Sequence, residues 1–232
     1  MKSKSVVFIA FQERENLGIG YMYAILSGGG YDVHVIDVRK DREDILQEVK
    51  ELNPLLIGFS VIFENYIYDF KLLSEYLRSE GIQCHFTAGG HFASLKPVEL
   101  SDLAPALDSI TRFEGEHTIL DLVNRNKEGK DWKQVPGISY RDHGSLVNNE
   151  LRPLEPDLDA FPYPFRPELK EYALEKKYAT LLAGRGCIYN CAFCDIREFY
   201  SHPPGPVKRI RKAEKVVEEM AYLHKEKDCR VF

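Results

Sequence analysis

The sequence is poor in cysteine and in long apolar runs, and each shortage excludes a class of protein. The five cysteines are an odd number and three of them fall within eight residues, which excludes the disulfide framework of a small secreted domain. The apolar run near the N-terminus spans at most residues 6–12, seven residues with the polar Gln12 included, which is too short for the core of a signal peptide or for a membrane span. We therefore expect a cytoplasmic protein with no membrane partner.

A surplus of basic residues is also missing. The formal net charge is -5 and the isoelectric point is about 5.9. Because proteins that bind nucleic acid usually carry a clear excess of Lys and Arg, nucleic acid is not an expected partner. The 232 residues, 44% hydrophobic and 29% charged, are enough for one large domain or two small ones.

Residues 1–130 alternate β-type and helical segments. Runs rich in β-branched and aromatic residues occur at 5–11, 32–38, 55–61, 83–90 and 108–115. Segments of helical period lie between and after them, at 15–30, 42–54, 64–81 and 116–129. This alternation predicts the α/β fold class, with a flavodoxin-like or Rossmann-like doubly wound parallel sheet of strand order 2-1-3-4-5. The glycines at 28–30 follow a helix, so they predict its C-terminal cap and not a dinucleotide-binding loop.

In such a sheet, ligands bind beyond the carboxyl ends of the strands. The loops at 11–18, 60–65 and 88–94 are therefore the candidate ligand-binding segments. Gly89 and Gly90 would let the backbone approach a bulky ligand closely, and a tight turn is the alternative explanation for the pair.

The pattern changes after residue 130. Residues 135–150 predict a β-hairpin, and residues 151–170 contain five prolines, too many for a helix or a central strand. A further α/β unit begins after this connector, with an amphipathic helix at 212–228 and a strand at 229–232. Because so few elements cannot cover both faces of a parallel sheet, we expect a truncated chain. The alternative is that another chain or the first domain covers the open edge.

Cys187, Cys191 and Cys194 have the spacing Cys-x3-Cys-x2-Cys. Soft thiolates suit iron–sulfur clusters, zinc or copper(I). A four-iron cluster usually takes four cysteines, so three would leave one iron with an open coordination position. The alternatives are a zinc site completed by His202, and a redox pair formed by Cys191 and Cys194, which would have no use for Cys187.

With Phe193 directly before the third cysteine, this run resembles the signature of the radical S-adenosylmethionine superfamily. The runs NLGIGYMYAIL, TAGGHFAS, RFEGEHTILDL and DLDAFPYPF are similar, in this order, to segments of those members that carry an N-terminal cobalamin-binding domain. The resemblance implies a cobalamin-binding domain at 1–130, a hairpin and proline-rich linker at 131–172, and the first part of a (β/α) partial barrel at 173–232.

Three cofactors follow from the resemblance: a [4Fe-4S] cluster on the three cysteines, S-adenosylmethionine at the open iron, and cobalamin at the sheet edge. In this family the reduced cluster cleaves S-adenosylmethionine to methionine and a 5′-deoxyadenosyl radical, with electrons from a donor such as flavodoxin or ferredoxin. The implied cobalamin contacts are Ser60, Gly89, Gly90 and His91, with Glu114 and Glu116 near the same edge. Phe193 would lie near the adenine, and core packing is its alternative role. His91 has the alternative of an ordinary surface or core residue.

One departure from the wider cobalamin-binding pattern lies in residues 11–18. Carriers of the methionine-synthase type have Asp-x-His-x-x-Gly after the first strand, whereas this loop has no histidine to ligate cobalt. The cofactor would therefore lack that lower ligand, and a domain that has lost cobalamin stays an alternative.

The function implied is methyl transfer or a radical rearrangement on a small molecule or natural-product precursor. Two alternatives remain: a non-catalytic corrinoid or small-molecule-binding module with a structural zinc or cysteine loop, and a radical enzyme whose first domain is only a scaffold. The basic run Lys208, Arg209, Arg211 and Lys212 predicts a solvated helix start, with contact to a carboxylate or phosphate as the alternative.

Overall fold

A computed structural model describes residues 3–12, 15–166, 171–172 and 176–232. The chain divides into two compact units, of which the first comprises Met1–Gln12 and Ile25–Arg152. The second unit comprises Glu13–Ala24 and Pro153–Phe232. The division after Arg152 falls inside the segment 131–172 that the sequence assigns to a linker.

The first unit is a seven-stranded sheet with helices between its strands. Its strands are β1 (Ser5–Ala10), β2 (Asp32–Asp37), β3 (Leu56–Ser60), β4 (His85–Gly89), β5 (Ser109–Thr111), β6 (Ile138–Asp142) and β7 (Ser145–Asn148). The helices are α1 (Leu17–Gly28, shared with the second unit), α2 (Arg42–Leu52), α3 (Ile67–Ser79), α4 (His91–Leu95), α5 (Pro97–Leu103) and α6 (Glu116–Glu128), with 3-10 turns at Glu64–Tyr66 and Trp132–Gln134.

The strand order is β2-β1-β3-β4-β5-β6-β7, and the pairs among the first five strands are parallel. The predicted fold class and the order 2-1-3-4-5 are therefore confirmed. β-branched and aromatic side chains of the inner strands, such as Val7, Phe59 and Phe86, are fully buried in the main core with side chains of α2 and α3. Burial on both sides of the central strands explains why these runs are almost continuously apolar.

The C-terminal cap predicted for α1 is present. The Tyr31 N–H donates to the carbonyl of Leu26, and the Gly30 N–H donates to the carbonyl of Ser27. These two bonds satisfy carbonyls that the end of a helix would otherwise leave open, so residues 28–30 end the helix as its C-terminal cap.

The predicted hairpin forms, and it extends the sheet. β6 pairs antiparallel with β5, and β7 pairs antiparallel with β6. His143 and Gly144 at the turn have φ values of 48° and 86°, the left-handed conformation that suits the twist of a two-residue hairpin loop. The hairpin is therefore part of the first unit.

The described residues of the second unit include a parallel β-α-β element. Its elements are β8 (Glu171–Tyr172), β9 (Lys176–Tyr178), β10 (Gly184–Arg185), α7 (Ile196–Ser201), β11 (Arg209–Ile210), α8 (Ala213–Lys227) and β12 (Cys229–Val231), with a 3-10 turn at Leu158–Ala160. β12 pairs in parallel with β9, and Ala179, Leu223 and Cys229 form a small core between these strands and α8. β10 pairs antiparallel with β11. Within the described residues, no helix has the length and apolar character needed to cross a bilayer.

Candidate functional site

The carboxyl edge of the sheet brings two small residues side by side. Ser60 and Gly89 end β3 and β4, and they are partners in the parallel register. Both are half-buried. Neither carries a large side chain, so the edge offers room above two adjacent strands at the position where ligands of such sheets bind.

Gly90 is required by the turn that follows β4. Its φ of +114° is unfavourable for residues with a side chain, and a Cβ atom there would lie 2.6 Å from the carbonyl oxygen of Val61. The turn is held by the Val61 N–H, which donates to the carbonyl of Gly89 at 2.7 Å. The structure therefore gives Gly90 the role of a tight turn, and its contact with a ligand stays a prediction.

The other residues predicted for this edge lie on the loops after β4 and β5. His91 begins α4 and is half-buried, and Glu114 is half-buried just before α6. Glu116 is buried in the first turn of α6, where its charge complements the partial positive charge of the helix N-terminus. Because the Glu116 side chain is buried, it is less suited to direct contact with a ligand than the half-buried side chains of His91 and Glu114.

Ser94, which the sequence did not single out, joins these two loops. Its side chain is 4% exposed, and its hydroxyl donates to the Gly90 carbonyl at 2.8 Å. The same oxygen accepts the Phe113 N–H at 2.7 Å. The sequence offered one signal for this residue, a serine four residues after Gly90 in the run GGHFAS. Its hydrogen-bond partner Phe113 is distant in the sequence, so the contact between the two loops could not be predicted from that run.

A buried polar ladder runs along β4 and β5, from His85 and Ser109 at their amino ends to Thr111 at the carboxyl end of β5. The His85 Nε2 atom lies 2.8 Å from the Ser109 hydroxyl, which donates to the Thr87 hydroxyl at 3.0 Å. The Thr87 hydroxyl is in turn 3.1 Å from that of Thr111. Burial lowers the pKa of His85 to about 4, so its ring is neutral at pH 7. A neutral imidazole suits this ladder, because its hydroxyl groups carry no negative charge that would stabilise a protonated ring.

Aromatic side chains surround the loop after β3. Phe63 and Tyr66 are exposed, and the Tyr66 ring lies 4.5 Å from the Phe11 ring between centroids. Exposed aromatic surface next to a strand edge with small side chains is typical of a binding site for a large, partly apolar ligand. The side chains of this edge therefore fit a macrocyclic cofactor such as a corrinoid.

The cysteines lie on a loop whose two ends are held together by β10 and β11. Gly186 has a φ of +77°, and a Cβ atom there would lie 1.6 Å from the carbonyl oxygen of Val207. A Cβ atom on Gly184 would lie 2.6 Å from the carbonyl oxygen of Arg209. Only glycine permits this close approach, so the glycines before Cys187 fix where the loop begins and ends.

Within this loop, Cys187 is half-buried and the other two cysteines are exposed. The Cys194 N–H donates to the carbonyl of Cys191 at 3.0 Å, so these two lie on one turn. Phe193 is 93% exposed, so its ring is not packed in the core of the described residues. A large apolar ring in this position is available to a ligand.

Among the described residues, no group of three or more His, Cys, Asp or Glu side chains converges on the position of a single metal ion. The assignment of Cys187, Cys191 and Cys194 as iron ligands stays a prediction.

The basic run before α8 differs from the predicted solvated helix start. Arg209 is 4% exposed and Arg211 is 9% exposed. Arg211 pairs with Asp159 at 3.0 Å and with Glu219 at 2.5 Å. The alternative of a carboxylate contact is therefore confirmed for Arg211, and its partners belong to the protein itself.

Glu15 has a structural role in the second unit. Its carboxylate pairs with Arg166 at 2.9 Å and accepts the Thr180 hydroxyl at 2.8 Å. Arg166 also pairs with Glu219 at 3.0 Å. The loop that carries a cobalt-ligating histidine in methionine-synthase-type carriers thus contributes a largely buried carboxylate, 11% exposed, to an ion-pair network here.

Comparison with known proteins agrees with this geometry. The family model of the B12 binding domain matches residues 5–123, just over half of the chain. An uncharacterized methyltransferase of Pyrococcus horikoshii is 27% identical over 216 residues, covering 90% of this chain and 46% of the relative. The anaerobic magnesium-protoporphyrin IX monomethyl ester cyclase of Rubrivivax gelatinosus is 28% identical over 227 residues, covering 92% of this chain and 40% of the relative. The chain thus spans less than half the length of these relatives.

Solved structures share the fold over nearly the whole chain. The radical S-adenosylmethionine methyltransferase TsrM from Kitasatospora setae has a TM-score of 0.74 at 19% identity, over 97% of this chain and 46% of TsrM. The cobalamin-dependent radical enzyme OxsB has a TM-score of 0.75 at 22% identity, over 99% of this chain and 33% of OxsB. The resemblance to radical proteins with an N-terminal cobalamin-binding domain is confirmed, and through the match at residues 5–123 this chain belongs to the B12-binding domain family.

Proposed function

We propose that this chain is the cofactor-binding part of a cobalamin-dependent radical S-adenosylmethionine enzyme. Its reaction is methyl transfer or a radical rearrangement on a small molecule or natural-product precursor. Support comes from the methyltransferases and cyclases among its relatives. We place the enzyme in the cytoplasm, where reducing conditions keep cysteine thiols free.

One observation carries the proposal: a B12-binding domain and a Cys-x3-Cys-x2-Cys loop occur in the same chain. A corrinoid-binding module alone has no need of three closely spaced thiols. The small residues Ser60 and Gly89 at the carboxyl edge, together with the match to the B12 binding domain, support a bound corrinoid over a domain that is only a scaffold.

Each proposed cofactor has residues suited to hold it. Ser60 and Gly89 would leave space for the corrinoid, Phe63 and Tyr66 would contact its apolar surface, and His91 and Glu114 are the half-buried polar groups beside it. The thiolates of Cys187, Cys191 and Cys194 would bind three irons of a [4Fe-4S] cluster, and Phe193 would pack against the adenine of S-adenosylmethionine.

When bound, the cluster and S-adenosylmethionine would supply a 5′-deoxyadenosyl radical, and cobalamin would supply a transferable methyl group. The tasks of the chain are to bind and orient these groups and to exclude water and oxygen from them. Gly184 and Gly186 hold the ends of the cysteine loop, so that three thiolates are presented from one short segment. An external donor such as flavodoxin or ferredoxin would deliver the electron.

Anaerobic reconstitution with iron and sulfide tests the cluster. We expect a brown protein with about four irons per chain. Replacing Cys187, Cys191 or Cys194 by Ala should abolish the cluster absorption, whereas the matched control Cys84→Ala should retain it, because Cys84 lies outside the loop. A colourless protein that binds a single zinc would instead indicate the non-catalytic module.

Titration with hydroxocobalamin tests the corrinoid site. We expect a retained red chromophore at one equivalent per chain, with an absorption spectrum distinct from that of the free cofactor. A protein that binds the cluster but retains no corrinoid after gel filtration would contradict this part of the proposal and indicate a scaffold domain.

A further inference from the structure

We infer that Ser94 is a positioning residue of the corrinoid site, because its hydroxyl fixes the two loops that carry the candidate contacts. The inference rests on the proposed function. Ser94 is 4% exposed, so we assign it no contact with the cofactor. It acts through the backbone of Gly90 and Phe113.

The hydroxyl forms one hydrogen bond to each loop. It donates to the Gly90 carbonyl at 2.8 Å, on the loop after β4, and accepts the Phe113 N–H at 2.7 Å, on the loop after β5. Both distances are those of well-formed bonds. One buried atom therefore joins the loop that leads to His91 and the loop that leads to Glu114.

The two backbone positions that it binds have uncommon conformations. Phe113 has a φ of +62°, in the left-handed region that costs free energy for a residue with a side chain. Gly90 has a φ of +114°. The conformation of Phe113 persists only where surrounding contacts hold it, whereas glycine adopts a positive φ without strain, and the Ser94 hydroxyl is a contact common to both residues.

The consequence is geometric. Phe113 directly precedes Glu114, and Gly90 directly precedes His91, so a change of either φ redirects a candidate cofactor contact. Removing the hydroxyl would let Phe113 turn toward a negative φ and move Glu114. The pre-formed spacing between the two loops would then have to be restored on binding, which lowers affinity.

The test compares the wild type with Ser94→Ala and Ser94→Thr in hydroxocobalamin titrations. We expect Ser94→Ala to raise the Kd about tenfold, and Ser94→Thr, which keeps the hydroxyl, to stay within about threefold of the wild type. The matched control is Ser74→Ala, which removes another buried hydroxyl that donates to a backbone carbonyl, that of Lys71 on α3, at 2.9 Å. Its Kd should be unchanged.

Amide hydrogen exchange of Phe113 gives a readout that needs no cofactor. We expect faster exchange at this amide in Ser94→Ala and unchanged exchange in Ser74→Ala. If Ser94→Ala does not fold, Ser94→Cys, which offers a weaker hydrogen-bonding group of similar size, should raise the Kd by at least about threefold.

The outcomes separate the inference from the proposed function. A wild type that retains no corrinoid contradicts the proposed function. A wild type that binds, together with a Ser94→Ala or Ser94→Cys protein of unchanged affinity, overturns the inference. Equal losses of affinity in Ser94→Ala and Ser74→Ala would also overturn it, because they would indicate a general loss of stability.

Discussion

The Nε2 atom of His85 lies 2.8 Å from the hydroxyl oxygen of Ser109, at the buried amino ends of β4 and β5. Because burial lowers the pKa of His85 to about 4, the folded protein holds this ring neutral. An unfolded chain would bind a proton there near pH 6.5. The free energy of unfolding is therefore linked to pH at this residue.

The contribution of the neutral His85 to the free energy of unfolding is fully present above about pH 6.5 and is lost as the pH falls toward 4. In this interval the unfolded chain binds a proton at His85 and the folded chain does not. The loss is on the order of 3 kcal/mol. Replacing His85 by Gln, which cannot ionise, should reduce the fall of the melting temperature across this interval. Parallel melting curves of the two proteins between pH 7 and 4 measure it, and identical slopes would contradict the burial argument.

Gly186→Ala should destabilise the cysteine loop and lower its iron content after reconstitution. A Cβ atom would lie 1.6 Å from the carbonyl oxygen of Val207, so the two ends of the loop would have to separate. The matched control is Gly144→Ala, which has a similar φ of +86° and no atom within 4 Å of the added Cβ. That change should cost only about 1 kcal/mol and leave the iron content unchanged. Equal effects of the two substitutions would show that contact with Val207 does not matter.

Glu219→Ala should cost about 3–5 kcal/mol, because Glu219 is 1% exposed and pairs with both Arg166 and Arg211. Its neighbour Glu218 pairs with Lys215, and both of these side chains are about half exposed. Glu218→Ala should therefore change stability by less than about 1 kcal/mol. Urea unfolding of the two variants compares the same residue type on the same helix, and similar midpoints would contradict the assigned role of the network.

The five thiols should differ in their reaction with iodoacetamide at pH 8. Burial raises the pKa of Cys84 to about 12, and it raises the pKa of the buried Cys229. Because the thiolate is the reactive form, these two should be alkylated far more slowly than the exposed Cys191 and Cys194. Mass spectrometry of tryptic peptides measures the rates, and protection of the three loop cysteines after reconstitution would support cluster binding.

Much of the fold could be predicted from the sequence, because the first five strands and their intervening helices have clear periodicity. The helices His91–Leu95 and Pro97–Leu103 were not predicted, since segments of five and seven residues are too short to show a helical repeat. The antiparallel addition of Ile138–Asp142 to β5 was also missed, because pairing between distant segments leaves no local signal.

The candidate site likewise contains residues that could be predicted from the sequence and residues that could not. Cys187, Cys191 and Cys194 could be singled out from spacing alone, since their chemistry depends on residues that are neighbours in the sequence. The role of Ser94 could not, because its partner Phe113 lies 19 residues away. For the same reason, the sequence predicted a solvated helix start around Arg211 and offered a carboxylate contact only as the alternative, since Asp159 lies 52 residues before it.

The assignment of Glu13–Ala24 to the second unit affects how the protein can be divided or recombined. The chain passes between the two units at three places, so no single cut separates them. A protein shortened to residues 1–152 would keep Glu15 but lose Arg166 and Thr180, its partners. A gene fusion that replaces residues 1–152 by the module of another protein would therefore deprive the buried Arg166 of its partner Glu15. The replacement module would have to supply a carboxylate at the position of Glu15.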